Sequence, residues 1–582
     1  MKKAIITDFE EDILEFFKIN KKFTIYTKNN YIFEKYNNHE HLECIHIESL
    51  LNNNEFNLYT KKTYKFIEKL LNVVISKNII EEKVIRIFQR TIINSYFSLF
   101  HHYILICKVL SNNKKENIYV YNTNFPHLNK NLSIEFERYD NLYAYLSKNI
   151  FHNKINFVNK KKILKNSKRD KYSFLNIYLK ILNILSLDFN SLKGKIKKKI
   201  RLNTKNNSKM FIYGENDIFP YLFNLKNNKF FHLDKLNFKC NSPKQVRNFF
   251  TNNDKSKIIK YFEREFDYSF FKYNKIFINN FLNRINFLIT IYLFNKKSLN
   301  RYIKNYIIQN KINGKVYTNG FFREIEKFFF FELKNQNITV LSFEHGITYG
   351  ISDFSKYYKK FYSLIYSDIK ILRSNLSKNI PKLEKHKSSE IMLGSPPYLY
   401  INFFYKLFNK FFSKLILGLN PFKKYILLSI PADNNNFIYG PNRLYDYENY
   451  KITKFVVNYL SSNYPKYKIL IKKYNFERYL DNGFLEIMFK NKKDVTIRRN
   501  PDNKFFLHAC EASYSTVYTS TLETMQNDKF NTFYISFNQN KLINNFEKKA
   551  IKVNFKNKSF KKIPLKKLNF KNNWSVKTMS SI

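Results

Sequence analysis

Short apolar runs of strand length alternate along this chain with longer stretches whose apolar residues recur at helical spacing. Ala4–Thr7, Phe23–Tyr26, Cys44–Ile47, Ile118–Tyr121 and Met210–Tyr213 read as strands in the first half. Between Lys61 and Val109 the spacing of Phe66, Leu70, Val73 and Val74 predicts one or two amphipathic helices. After Lys315 the alternation sharpens. Val316–Asn319 is a strand running into Gly320, Phe321–Lys334 a helix, and Ile338–Phe343 a strand ending directly in Glu344-His345-Gly346. Leu364–Tyr366 and Ile391–Leu393 continue the series, and Phe403–Leu419 reads as an amphipathic connecting helix. A second unit starts at strand Tyr425–Ile430. It continues through helix Ile452–Ser461, strand Tyr467–Ile471, helix Phe505–Cys510, strand Thr516–Tyr518, helix Leu522–Gln526 and strand Thr532–Ile535. Strands alternating with helices predict βαβ units and parallel sheets, an α/β fold.

Length sets the domain count. A chain of 582 residues exceeds what one hydrophobic core organises. The expected division is an N-terminal α/β and helical region over 1–205, a Rossmann-like unit over 206–405, a second over 420–545 and a basic tail over 546–582. The Lys-rich stretch Lys160–Lys205, with a helix at Tyr172–Leu187, reads as the first boundary or as a membrane-facing loop.

Charge changes the picture less than its size suggests. The chain carries 101 Lys and Arg against 46 Asp and Glu, a formal net charge of +55. Such a balance points first to a polyanion partner, and the 44 Tyr and 61 Phe could stack on bases. The lysines, however, are spread through every segment, and Lys, Asn, Ile, Phe and Tyr are over-used together. That is the bias an AT-rich genome imposes, so no specific nucleic-acid partner is expected. Peripheral contact with an anionic membrane remains compatible with the charge. Cys44, Cys107, Cys240 and Cys510 fit no metal-ligand or disulfide spacing. The N-terminus turns acidic at Asp8 where a signal peptide needs an apolar run, and Phe287–Phe294 is too short to span a bilayer. A cytoplasmic protein, peripheral at the inner membrane at most, is expected.

Parallel sheets hold ligands beyond the carboxyl ends of their strands, so the segments there carry the candidate chemistry. In Glu344–Gly350, His345 is the residue type suited to act as a general base near neutral pH, with Glu344 beside it. Gly346, Tyr349 and Gly350 complete that loop, and the glycines admit a close ligand in a chain with only 10 Gly. An isolated His at a strand end is more often bonded to a carbonyl; the clustering favours function. The hydroxyl run Ser513–Thr521 precedes a helix opened by Glu523. Ser515, Thr519, Ser520 and Thr521 can hold a phosphate oxygen, and Glu523 can accept from ribose hydroxyls. An ordinary capping box reads the same run equally well. Gly394-Ser395-Pro396 makes a rigid turn after a strand. Lys472 and Lys473 end a strand and could meet a diphosphate, as could the scarce Arg443. No metal motif, Walker loop or Gly-rich dinucleotide fingerprint is present.

Taken in order, His345-Gly346, Gly394-Ser395-Pro396, Lys472-Lys473 and Thr519-Ser520-Thr521-Leu522-Glu523 resemble the GT-B glycosyltransferases. The likeness is to their bacterial surface-polysaccharide branch, which includes capsule, lipopolysaccharide and Kdo-type transferases. It covers roughly residues 315 to 540 and rests on the order of short motifs. Glu344 stands where the family usually has Gln, and Lys473-Tyr474 where Arg or a His-Pro pair is common. The resemblance implies two Rossmann-like domains facing a cleft and metal-independent transfer of a sugar from a nucleotide-sugar donor to a glycan or lipid-linked acceptor. No cofactor is implied, the nucleotide sugar being substrate. Donor contacts fall to Gly394, Ser395, Arg443, Lys472, Lys473 and the hydroxyl turn; His345 lies toward the acceptor. Asp446-Tyr447-Glu448 is read as a solvated tyrosine-rich loop, not as the acidic triplet of metal-dependent transferases. A nucleic-acid-binding protein and a non-catalytic glycan-binding homologue are the competing readings.

Overall fold

The computed structural model describes residues 2–51, 53–113, 117–124, 141–163, 210–214, 230–266, 273–319, 323–343, 367–372, 389–393, 403–430, 446–473, 483–499, 503–515, 532–536, 551–554 and 559–561. These form three sheets, each almost wholly parallel, with helices on their faces. The expected α/β class with Rossmann-like sheets is what the chain adopts.

The first sheet contains β1 (Lys3–Ile6), β2 (Phe23–Thr27), β3 (Leu42–His46), β4 (Asn117–Asn124) and β5 (Asn156–Ile163), in the order β3-β2-β1-β4-β5. The second comprises β6 (Met210–Tyr213), β7 (Phe230–Leu233), β8 (Lys315–Thr318), β9 (Val340–Phe343), β10 (Ile369–Leu372) and β11 (Ser389–Met392), ordered β11-β10-β9-β8-β6-β7. The third is β12 (Tyr425–Ser429), β13 (Lys468–Lys472), β14 (Val495–Arg498), β15 (Ala512–Ser515), β16 (Thr532–Ser536), β17 (Ile551–Asn554) and β18 (Ser559–Lys561), ordered β14-β13-β12-β15-β16-β17-β18. Among the described strands only β17 and β18 pair antiparallel. In every sheet the strand order reverses once, between β1 and β4, β6 and β8, and β12 and β15. A crevice opens at such reversals, because successive crossovers leave to opposite faces.

Alternation along each strand distributes side chains between two cores. On β1, Ala4 and Ile6 join the large core shared with the second sheet, whereas Ile5 faces Ile13, Phe16 and Ile32 on the other side. The shared core is built from long helices, Asn53–Ser76, Glu82–Asn112, Asn252–Glu265 and Asn274–Gln309, and it is aromatic. Tyr103 stacks on Phe277 at 4.5 Å between centroids, and Phe100 lies 4.7 Å from Phe266. Buried Lys327 of helix Glu324–Asn335 donates to the Ile87 carbonyl at 2.9 Å, and Glu324 accepts from Thr91. These bonds fasten the second sheet to helix Glu82–Asn112.

Helix Asn274–Gln309 differs most from its sequence reading, which saw only the apolar stretch Phe287–Phe294. It is long and apolar enough, by length and composition, to cross a membrane, and 56% of its most apolar window is buried in the protein. Its buried polar side chains bind the preceding chain instead of lipid. Asn286 accepts from the Phe249 amide, Thr290 from Arg247, and Asn295 exchanges two bonds with the Asn241 backbone. A buried amide costs free energy unless paired, so these positions dictate where residues 241–250 run.

Strands Thr516–Tyr518 and Leu364–Tyr366, and helices Tyr172–Leu187 and Leu522–Gln526, were expected on segments outside the described residues; nearby strands lie at Ala512–Ser515 and Ile369–Leu372. Residues 551–554 and 559–561, read as patternless tail, extend the third sheet.

At the reversal of the second sheet, Gly214 has φ +85°, and a Cβ there would come within 2.8 Å of Asn319 Oδ1. Gly214→Ala should therefore destabilise the fold by about 1–2 kcal/mol, read as a lower midpoint of chemical unfolding; an unchanged midpoint would mean that this turn relaxes freely.

Candidate functional site

The third sheet aligns residues from four strands at its carboxyl edge. Ser429 pairs with Lys472 on one side and Ser515 on the other, and Lys472 pairs with Arg498. Paired residues of parallel strands point to one face, so Arg498, Lys472, Ser429 and Ser515 form a row on the face covered by helices Phe403–Ile416 and Asn503–Ala509. The order reversal falls between Ser429 and Ser515, which puts two hydroxyls where this class of sheet receives ligands. Ser515 is buried. The Lys472 ammonium lies 5.3 Å from the centre of the Phe506 ring. Arg498 is engaged structurally: its guanidinium donates to the Leu417 carbonyl at 2.9 Å and to Gly418 at 3.3 Å, closing the end of helix Phe403–Ile416.

Lys472 and Lys473 do not act as a pair. Alternation turns Lys473 to the opposite face, where its buried ammonium meets Glu486 at 3.3 Å and its amide donates to the Arg498 carbonyl. Of the two, Lys472 shares its face with the serines. Thr519, Ser520, Thr521 and Glu523 follow Ser515 outside the described residues, as does Arg443. In the second sheet, Glu344, His345, Gly346, Tyr349 and Gly350 follow β9 directly, and Gly394 and Ser395 follow Leu393; all seven lie outside the described residues. Among the described residues no three His, Cys, Asp or Glu side chains are grouped to hold a metal ion.

The first sheet carries a constellation that the sequence reading missed. Asp8 follows β1, Lys28 follows β2, and His46 and Glu48 close β3, so all four reach one carboxyl edge. There they meet helix Asp446–Asn463 of the third sheet's unit. Lys28 and Asp446, both buried, approach to 3.9 Å, and Asn30 donates to the Asp446 carbonyl at 3.0 Å. Glu48 accepts the Tyr447 amide at 2.9 Å, capping the helix from another part of the chain, and lies 3.0 Å from His101 Nε2. Asp8 accepts the Lys28 amide at 2.7 Å and the Thr27 hydroxyl at 3.1 Å. His46 stacks on Tyr447 at 4.9 Å.

Asp446-Tyr447-Glu448 is thus not a solvated loop. Asp446 and Glu448 are 1% and 2% exposed in the first turn of a helix. Asp446 is tolerated in the interior because Lys28 and the helix N-terminus meet it, and Glu448 because Lys451 one turn along the same helix lies 2.6 Å from it. The chain's own helix occupies the edge that the first sheet would otherwise offer to a ligand. The site is a joint between units. A signal existed in the sequence, since Thr7-Asp8 ends an apolar run as a catalytic or capping acid does, but the helix that Lys28 and Asn30 meet beside it begins more than 400 residues away.

No family model matches the chain, and no curated relative matches it. Among solved structures it is similar to UDP-GlcNAc 2-epimerase from Neisseria meningitidis bound to UDP-GlcNAc. That likeness has a TM-score of 0.32 and 11% identity, over 56% of this chain and 81% of that one.

Burial, with the Lys28 and Lys451 charges, pulls the His46 imidazole down to about 3 from its usual 6.5, so it stays neutral in the fold. The unfolded chain takes up that proton below about 6.5 and the folded chain does not, so stability is complete above this pH and falls as pH drops toward 3. Between pH 6.5 and 5, before carboxylates titrate, His46 should contribute a slope approaching about 1.4 kcal/mol per pH unit. Denaturant melts of His46→Phe, which keeps the ring on Tyr447, should show that slope removed; an unaltered pH dependence would contradict the assignment.

Proposed function

We propose that the chain is a nucleotide-sugar-dependent glycosyltransferase whose third sheet holds the donor at its carboxyl edge. The observation that carries the reading is the pair Ser429 and Ser515 on either side of the order reversal, with Lys472 on the same face. Neutral hydroxyls and the amides of strand-to-helix turns suit phosphate oxygens, and one ammonium suits the charge of a diphosphate. The motif order that resembles the GT-B transferases agrees with this. It adds Thr519, Ser520, Thr521 and Glu523 for phosphate and ribose, Gly394, Ser395 and Arg443 at the donor side, and His345 with Glu344 toward the acceptor hydroxyl. His345 takes the hydroxyl proton as that oxygen attacks the sugar carbon, and the nucleotide leaves through its phosphate oxygen with the bonding pair. A surface glycan or lipid-linked saccharide is the acceptor class, and no metal enters the step.

A panel of CMP-, UDP-, GDP- and CDP-sugars tests the reading by thermal shift. One of them should raise the melting temperature, and Lys472→Met should weaken that ligand about tenfold, the worth of one charge-assisted contact. His345→Ala should leave donor binding intact while lowering transfer at least about a hundredfold. If no nucleotide sugar stabilises the protein, the reading fails; if binding survives but both variants behave as wild type, the residue assignments fail.

A further inference from the structure

The opposite edge of the third sheet presents a surface that donor binding does not use. Eleven large apolar side chains are exposed among the described residues, and four of them, Phe411, Phe412, Leu415 and Phe422, fall between residues 411 and 422. Phe411, Phe412 and Leu415 share one face at the end of helix Phe403–Ile416. Phe422 is 85% exposed in the turn before β12. That turn is held in place. The buried Lys414 ammonium donates to the Pro421 carbonyl at 2.9 Å and to the Lys423 carbonyl at 2.7 Å, and the Phe422 amide donates to Asn420 Oδ1 at 2.9 Å. An ordered backbone therefore holds a phenyl ring out into solvent, an unfavourable placement for an isolated side chain.

Lysines surround this turn because parallel strands begin together. Lys423 and Lys424 precede β12, Lys466 and Lys468 stand at the start of β13, and Lys492 and Lys493 precede β14. Tyr425 pairs with Lys468 and Ile469 with Val495, so all six lie at the amino edge. The acids described at this edge are engaged, Asp494 with Ser461 and Glu511 with Lys410.

We propose that this amino edge docks the protein on an anionic lipid bilayer, with Phe411, Phe412, Leu415 and Phe422 entering the head-group region and the lysines meeting lipid phosphates. Apolar rings projecting from a convex turn within a cationic rim match what a bilayer interface accepts, since the rings are buried at shallow depth while the ammonium groups keep their hydration. A polynucleotide would need these aromatics flat along a groove, and here they stand on a helix end and a turn. Amino and carboxyl edges are opposite ends of the strands, so docking leaves Ser429, Lys472 and Ser515 facing away from the lipid. The proposal stands independently of the donor reading.

Sedimentation of the full chain with extruded vesicles tests it. Binding to phosphatidylcholine containing about one-third phosphatidylglycerol should exceed binding to phosphatidylcholine alone at least about tenfold. Phe422→Ser, at a position too exposed to disturb the fold, should weaken anionic-vesicle binding severalfold at an unchanged melting temperature. Lys423→Glu with Lys424→Glu should weaken it about tenfold. Lys257→Glu with Lys260→Glu makes the same charge change on exposed positions of helix Asn252–Glu265 and should leave binding within about twofold. Equal binding to both vesicles, an equal loss in the control pair, or full binding by Phe422→Ser would overturn the proposal. So would loss of single-stranded polynucleotide binding in Lys423→Glu/Lys424→Glu with vesicle binding retained.

Discussion

Parallel backbone pairing is the constraint on which the third sheet's chemistry depends. Each strand of β12 to β16 bonds to its neighbour in one fixed register, and Ser429, Lys472, Arg498 and Ser515 arrive in a row because the backbone leaves them no other place. The same pairing brings the strand beginnings together, which gathers scattered lysines into a cationic edge. A one-residue slip would turn every side chain in the row to the other face. The apolar alternation of Tyr425, Leu427 and Leu470 against one helical layer, and Ile426, Leu428, Ile469 and Ile471 against the other, prevents it.

The joint between the first and third units obeys a different physics. Buried charge is costly, and Asp8, Lys28, Glu48 and Asp446 are kept inside because each has a partner of opposite sign, a backbone amide or a helix N-terminus. Such a set fits only one docking geometry. We read it as what fixes the orientation of helix Asp446–Asn463, and with it β12 and β13, relative to the first sheet. The cost is sensitivity to acid at His46.

Much of this was legible in the sequence where local pattern and tertiary environment agree. Tyr425–Ser429, Lys468–Lys472 and Met210–Tyr213 are short apolar runs buried on both faces, and their composition says so. Lysine-bearing strands such as Asn156–Ile163 and Ile551–Asn554 were missed because their composition imitates a solvated loop, and the backbone pairing that makes them strands is not written in it. Asp446-Tyr447-Glu448 was misread for a related reason: whether an acid is buried depends on Lys28 and Asn30, which nothing nearby in the chain announces. Lys472 and Lys473 looked alike until alternation separated them.

The central claim is that a nucleotide sugar sits at the carboxyl edge of the third sheet. Hydrogen–deuterium exchange with and without the stabilising donor tests it directly. The account predicts slowed exchange confined to segments that follow Ser429, Lys472 and Ser515, with the amino edge at Lys423 and Lys466 unchanged. Protection confined to the first sheet or to helix Asn274–Gln309, with none at those strand ends, would contradict it.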